Sequence, residues 1–131
     1  MKEKLSLIAG GLLGLVFVVF GLNFFLHFIP IPALPEGSPA AAFMGAAYTT
    51  GFLTFVKVLE IIGGVLVAVP KTRGLGLLVL GPIIVNILAF HVFIVGGGLF
   101  DPVVVLVTVL AAFLLWAERD AFCKLAIKQA D

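Results

Sequence analysis

The stretch YTTGFLTFVKVLEIIGGVLVAVP, residues 48–70, decides the fold of this chain. It is apolar enough to cross a bilayer, yet it contains Lys57 and Glu60. Ionisable side chains at membrane depth are rare, since each costs roughly 2.5–3.5 kcal/mol at the bilayer centre, and they usually face a protein interior or a cavity. A spacing of three residues places the two side chains on one face of a helix. The stretch therefore predicts a membrane helix with a polar face turned inward.

The composition extends this prediction to the whole chain. Of the 131 residues, 63% are hydrophobic and 11% are charged, whereas soluble domains have about 45–50% apolar and about 25% charged residues. The length predicts a single transmembrane domain, residues 1–131, with several spans. The net charge of +1 excludes the strongly basic surface of a nucleic-acid-binding protein. The single cysteine, Cys123, excludes an intramolecular disulfide and a CxxC redox pair.

Apolar runs predict an all-α integral membrane four-helix bundle. The predicted transmembrane helices cover about residues 5–29, 48–70, 74–95 and 103–117. The tail after the fourth span is amphipathic and predicts a short helix lying along the headgroups.

A short additional helix is predicted between the first two spans. Prolines exclude a continuous helix through residues 30–39, and Ser38 followed by Pro39 is typical of an N-cap and a first helical residue. Joined to the second span, this helix would be about 46 Å long, too long for a hydrocarbon core of about 30 Å. We therefore expect an interfacial or re-entrant helix that ends in a break near residues 49–51.

Lysine and arginine lie on one side of the predicted topology. They precede the first span, join the second span to the third, and follow the fourth. These residues are Lys2, Lys4, Lys71, Arg73, Arg119, Lys124 and Lys128. By the positive-inside rule this side is the cytoplasm, so a multi-pass protein with both termini in the cytoplasm is predicted.

Most other polar residues of the spans fall in the opposite, outer half of the bundle. Counted from the outer ends of the helices, they lie about 3–13 Å deep. We take these residues as a candidate ligand-binding pocket: Asn23, His27, Lys57, Glu60, Asn86 and His91. An amphipathic ligand could enter such a pocket from the outer leaflet.

Three interpretations of these residues stay open. Lys57 and Glu60 could form a structural pair, with asparagines completing its hydrogen bonds between helices. They could instead bind a ligand such as a quinone head, or relay protons or ions. A metal site formed by His27, His91 and Glu60 is disfavoured because the three residues differ in depth, so no metal is expected.

Three glycines share one face of the first span. Gly10 and Gly14 have the GxxxG spacing, and Gly21 continues their face. Small residues at this spacing allow close contact between helix backbones. The face predicts either packing within one chain or a homo-oligomer seam.

The order and spacing of these landmarks resemble the DoxX family of small bacterial membrane proteins. The resemblance covers nearly the whole chain and includes Gly21-Leu22-Asn23, Glu60 before Gly63-Gly64, and Asn86 with His91. The matching segments are LLGLVFVVFGLNFFLHFIPIP at 12–32, AAFMGAAYTTGFL at 41–53, KVLEIIGGVLV at 57–67 and PIIVNILAFHVF at 82–93. The resemblance implies a four-helix protein of the bacterial cytoplasmic (inner) membrane. For some members it also implies quinone-dependent sulfur oxidation or membrane oxidoreductase complexes, without a family-wide catalytic set.

Two classes of function follow as hypotheses. The first is the membrane, quinone-interacting subunit of an oxidoreductase complex. Because the sequence has no haem pair, flavin motif or CxxC pair, no covalently bound cofactor is expected and electrons would come from a soluble oxidoreductase partner. The second is a non-enzymatic protein that binds or transports a small amphipathic ligand, or a structural scaffold for a membrane complex. No nucleophile–base pair is visible, so an autonomous enzyme is not expected.

Overall fold

The computed structural model describes residues 2–30, 33–96 and 101–126, with side chains up to residue 124. Every regular element in these ranges is helical. The longer helices are α1 (Lys2–Leu26), α2 (Pro39–Thr49), α3 (Phe52–Ala68), α4 (Arg73–Ala89), α5 (Pro102–Ala117) and α6 (Arg119–Ala126). A 3-10 turn, Pro70–Thr72, joins α3 to α4, and a π-helical segment, Phe90–Val95, continues α4.

Two of the described helices are long and apolar enough to cross a membrane. They are α1, with 25 residues, and the continuous helix Pro70–Val95, with 26. The pair formed by α2 and α3 passes the same test as a third, although it is bent by 83° at its break. The prediction of an all-α chain with helices long and apolar enough to span a membrane is thus confirmed. The fourth span stays a prediction, because the 16 residues of α5 extend only about 24 Å.

The bend between α2 and α3 lies where the sequence predicts a break. Thr50 ends α2, and Gly51 adopts a positive φ of 85° that a side chain would disfavour. The helix caps also agree with prediction. The Ser38 side chain accepts a hydrogen bond from the Ala41 amide at the start of α2, and the Asp101 side chain accepts one from the Val103 amide at the start of α5. Local sequence signals therefore determine where α2, α3 and α5 begin.

Helices α1, α3, α4 and α5 share one apolar core. α1 packs against α3 and α5, and α4 packs against α3 and α5. The buried core residues are Ala9, Leu13, Phe17, Val67, Leu77, Leu80, Ile84, Val107, Ala111 and Leu114. They come mainly from the C-terminal half of α3 and α5 and the N-terminal parts of α1 and α4, so the core fills one half of the molecule, which we call the closed half.

The glycine face of α1 is used for packing within the chain. A Cβ atom on Gly14 would collide with the backbone carbonyl of Gly64, and one on Gly21 would lie 2.6 Å from Ile61 Cγ1. α1 and α3 therefore approach backbone to backbone, as small residues allow. Of the two interpretations of Gly10, Gly14 and Gly21, this structure shows packing within one chain, and a second copy would have to use another face.

Arg73, which the sequence counts among the charges of a short link, is buried in the closed half. The residue is 4% exposed, and its Nε atom donates to the Val67 carbonyl at 3.0 Å. A second nitrogen donates to the Ala68 carbonyl at 3.4 Å, and the guanidinium lies against Gly10. Arg73 thereby satisfies carbonyls at the C-terminus of α3, where the helix dipole favours a cation.

Candidate functional site

A cavity of about 550 Å³ occupies the other half of the molecule, which we call the open half. All of the helices except α6 contribute to its wall, together with the π-helical segment. The wall is largely apolar, and the polar side chains on it are Lys57, Glu60, Asn86, His91 and Thr108. The cavity therefore brings together four of the six residues that the sequence proposes for a ligand site.

Lys57 and Glu60 form an ion pair on the wall contributed by α3. The Lys57 Nζ atom lies 3.4 Å from Glu60 Oε1, and the side chains are 22% and 8% exposed, respectively. It is the one ion pair within 4.0 Å in the part of the chain that the structure describes. Because a single contact at this length leaves donors and carboxylate lone pairs unused, both groups can also bind a third partner in the cavity.

Asn86 presents one half of its amide to the same space. Its Nδ2 atom donates to the Pro82 carbonyl, one turn earlier in α4, at 2.8 Å. That bond orients the side chain and leaves the Oδ1 atom as an acceptor, since no described partner occupies it. The residue is exposed, so it lies at the accessible part of the cavity wall.

His91 lies in the π-helical segment that follows α4. Its Nδ1 atom is 2.8 Å from the Ile87 carbonyl, and since a carbonyl oxygen only accepts, Nδ1 carries the proton in this bond. The Nε2 atom is therefore left for the cavity. π-Helical turns inside α-helices are rare and occur frequently at functional sites.

Asn23 does not reach the cavity, contrary to its place in the proposed ligand site. Its Nδ2 atom donates to the Ile29 carbonyl at 3.0 Å, and its Oδ1 atom accepts from the Ile29 amide at 2.6 Å. Both ends of this buried amide are used to close the turn after α1. Asn23 is not on the cavity wall and therefore has a structural role at the helix end.

His27 is also remote from the cavity wall. It follows the last residue of α1, has a positive φ of 54°, and is exposed. Its backbone amide donates to the Asn23 carbonyl, which ends the helix in the left-handed conformation common at C-termini. His27, His91 and Glu60 thus do not share the cavity wall. Among the described residues, no group of three or more metal-binding side chains is present.

The sequence reasoning missed the part of the wall that α2 supplies. Phe43, Met44 and Ala47 face the cavity, and the Phe43 ring packs on the ring of Phe90, with centroids 5.3 Å apart. The apolar spacing i, i+1, i+4 in α2 was the available signal, but it does not indicate which neighbour the face packs against. Thr108 of α5 was also missed. It lies on the wall, and its hydroxyl donates within its own helix to the Val104 carbonyl at 2.8 Å.

The geometry combines charged, amide and imidazole groups with an apolar enclosure. A molecule with a small polar head and an apolar body matches this combination, since apolar pockets with a few convergent polar groups are typical ligand sites. Comparison of the chain with family models, with curated proteins and with solved structures gives no match. The cavity is therefore the structural feature from which a function can be inferred.

Proposed function

We propose that this chain is an integral membrane protein that binds the polar head of a small amphipathic molecule in the open half, with a quinone as the first candidate. The observation that carries the proposal is the cavity of about 550 Å³ with Lys57, Glu60, Asn86 and His91 on its wall. Ligand pockets in proteins have volumes of about 300–1,000 Å³. Charged groups on the wall of such a pocket are better explained by a bound polar partner than by packing alone.

A quinone matches the groups on the wall. Its two carbonyl oxygens accept hydrogen bonds, and Lys57 has donors that its single contact with Glu60 leaves unused. On quinol oxidation, the Glu60 carboxylate or the His91 Nε2 atom could accept a released proton. Phe52 and Phe90 lie on the wall and supply apolar surface for the ring. The isoprenoid tail would leave between the helices into the bilayer.

As a cellular role, we propose the membrane subunit of an oxidoreductase complex. The resemblance to the DoxX family supports this role, and a soluble partner would then supply or accept the electrons. The alternative is a protein that binds or transports an amphipathic ligand without redox chemistry. The two differ in what purifies with the chain from a mild detergent, either a redox protein together with quinone or a lipid-like molecule alone.

The proposed membrane arrangement has four spans, with the closed half towards the cytoplasm of a bacterial inner membrane. Lys71, the buried Arg73 and Arg119 belong to this end, while Lys128 lies outside the described residues. In a Cys123→Ser background, a cysteine at Lys71 should be labelled from the cytoplasm only, and one at Glu36 from outside only. External labelling at position 71 would contradict the topology.

Titration of the purified protein with a short-chain quinone analogue tests the ligand. We expect saturable binding to the unmodified chain and loss of binding in Lys57→Met. The matched control is Asn23→Leu, because Asn23 is a buried polar residue that does not reach the cavity. Calorimetric or fluorescence titration measures both affinities, and circular dichroism checks that both variants are folded.

A structural pair is the second candidate, favoured by the direct contact of Lys57 and Glu60 at 3.4 Å. In that case neither residue needs a ligand, because the two charges neutralise each other within the packed helices. Equal affinity of the unmodified chain and of Lys57→Met, or no binding by either, would favour the structural pair over the quinone site.

A further inference from the structure

Two cations converge on one indole ring at the end of the closed half. The Lys2 Nζ atom, at the start of α1, lies 5.2 Å from the centroid of the Trp116 ring. The Arg119 guanidinium carbon, at the start of α6, lies 4.6 Å from the same centroid. Both distances are within the range of cation–π contacts, so residues far apart in sequence form one positively charged cluster around Trp116.

The cluster is held in place from the α5 side. An Arg119 nitrogen donates to the Trp116 carbonyl at 2.8 Å, which ties the guanidinium to the end of α5. The indole also packs on the ring of Phe113, with centroids 6.1 Å apart. The aromatic ring and one of its cations are therefore oriented before any partner binds.

The positive charge of this cluster is not neutralised by a described carboxylate. Within the part of the chain that the structure describes, Lys57 and Glu60 form the one ion pair shorter than 4.0 Å. Glu118 and Asp120 flank Arg119 in sequence, but neither lies within that distance of Arg119 or Lys2. Lys2, Trp116 and Arg119 are all exposed, so an external anion can reach them.

We propose that Lys2, Trp116 and Arg119 form a binding site for the phosphate headgroup of an anionic phospholipid. A phosphate accepts charge-assisted hydrogen bonds from lysine and arginine, and tryptophan is enriched at the level of lipid headgroups. The helices next to the cluster expose apolar side chains, among them Leu5 and Leu115, beside which acyl chains can lie. That apolar surface favours a lipid phosphate over a free phosphate ion. The site is separate from the cavity and does not depend on the quinone proposal.

The single tryptophan of the chain makes the site directly observable, because Trp116 alone contributes indole fluorescence. The full chain in a neutral detergent is titrated with phosphatidylglycerol, with phosphatidylcholine and with inorganic phosphate. We expect a saturable change in Trp116 emission with phosphatidylglycerol only. The Lys2→Gln/Arg119→Gln double variant should lose affinity for phosphatidylglycerol by a factor of about ten or more.

The matched control removes the same charge at the same end of the molecule. Lys4→Gln/Lys71→Gln replaces two exposed lysines that have no contact with the Trp116 ring among those described, and its affinity should stay within about twofold of the unmodified chain. Equal losses in the two double variants would show diffuse attraction rather than a site and would overturn the proposal. So would an equal response to phosphatidylcholine, saturation by inorganic phosphate at the same affinity, or no response to any addition.

Discussion

The two halves of the molecule bury charge in different surroundings. In the closed half, Arg73 is 4% exposed and donates to backbone carbonyls at the end of α3. In the open half, Glu60 is 6% exposed, but its partner is the Lys57 side chain beside a cavity. Backbone acceptors are held by the helix and cannot be exchanged, whereas a side-chain partner on a cavity wall can turn to a ligand. A buried charge therefore has room for a further partner only where its own partner is a side chain and open space adjoins it.

The helix packing follows the same division. In the closed half, Gly14 and Gly64 let α1 and α3 touch backbone to backbone. Gly76 likewise lets α4 approach the backbone of α3 at Val67. In the open half, large side chains such as Phe20 and Phe52 line the space between the helices. Small residues let helices approach closely, whereas the space that is lined by these large side chains stays open as a cavity.

The largest expected effect comes from breaking the closed half at Gly14. In Gly14→Leu the side chain meets the Gly64 carbonyl, and a backbone group cannot move aside as a side chain can. We expect a loss of about 3 kcal/mol in the free energy of unfolding, the upper end of the usual range for overpacking. The control is Gly11→Leu on the same helix, where nothing lies within 4 Å and the change should stay within about 1 kcal/mol. Equal stabilities in detergent unfolding would contradict the close contact.

The Arg73 contacts give the next largest effect. Arg73→Ala removes the hydrogen bonds to two carbonyls and should cost about 2 kcal/mol of unfolding free energy. Gly10→Ala should also destabilise the unmodified chain, because its methyl group would lie 2.5 Å from Arg73 Nε. In the Arg73→Ala background the same methyl has room, so a double-mutant cycle should give a coupling energy of about 1 kcal/mol. Additive losses would show that Gly10 and Arg73 do not share this space.

The ion pair of the open half should respond less strongly. Glu60→Gln leaves Lys57 without its counter-charge, but the cavity lets the ammonium reorient. We therefore expect a loss of about 1.5 kcal/mol, below the 3–5 kcal/mol typical when one partner of a fully buried pair is removed. Lys57→Met/Glu60→Leu should be more stable than either single variant, since no unpaired charge remains. A double variant that melts below both single variants would exclude a buried couple.

The smallest effect separates two asparagines that the sequence does not distinguish. Asn23→Leu loses both hydrogen bonds to Ile29 and should lower the free energy of unfolding by about 1 kcal/mol. Asn86 is exposed on the cavity wall, so Asn86→Leu should change the free energy of unfolding by less than about 0.5 kcal/mol. For the quinone analogue we expect the reverse order, with weaker binding in Asn86→Leu and unchanged binding in Asn23→Leu. Thermal unfolding and ligand titration on the same samples decide the comparison.

Short-range signals predicted the elements of the fold well. Ser38 and Asp101 cap helices where the sequence places caps, and Gly51 breaks the chain within the expected interval. Lys57 and Glu60 were predicted to share a helix face, and the structure pairs them. These predictions succeeded because caps, glycine turns and i,i+3 spacing depend on residues only a few positions apart.

The structure brings only some of the proposed site residues together on the cavity wall. Depth counting treated Asn23 as a partner of Lys57, although its amide turns back to the chain that follows α1. The count also could not identify Phe43 of α2 as part of the wall, because that requires the direction of the bend at Gly51. The position of a residue along a helix predicts the depth of its side chain in the membrane. It does not predict where the side chain points, because that depends on hydrogen-bond partners outside the helix and on how neighbouring helices are oriented.

The sequence by itself determined that this is an all-helical chain with helices long and apolar enough to span a membrane, where several helices begin, and that Lys57 and Glu60 lie on one helix face. Composition and short-range spacing are sufficient for these properties, because apolar length and local hydrogen bonds govern them. Tertiary structure alone decided that Arg73 is buried while Lys71 of the same link stays exposed, and that a cavity forms in the open half. Both depend on how α1, α3 and α4 approach one another, which follows from contacts between residues such as Gly10 and Arg73 that are distant in sequence.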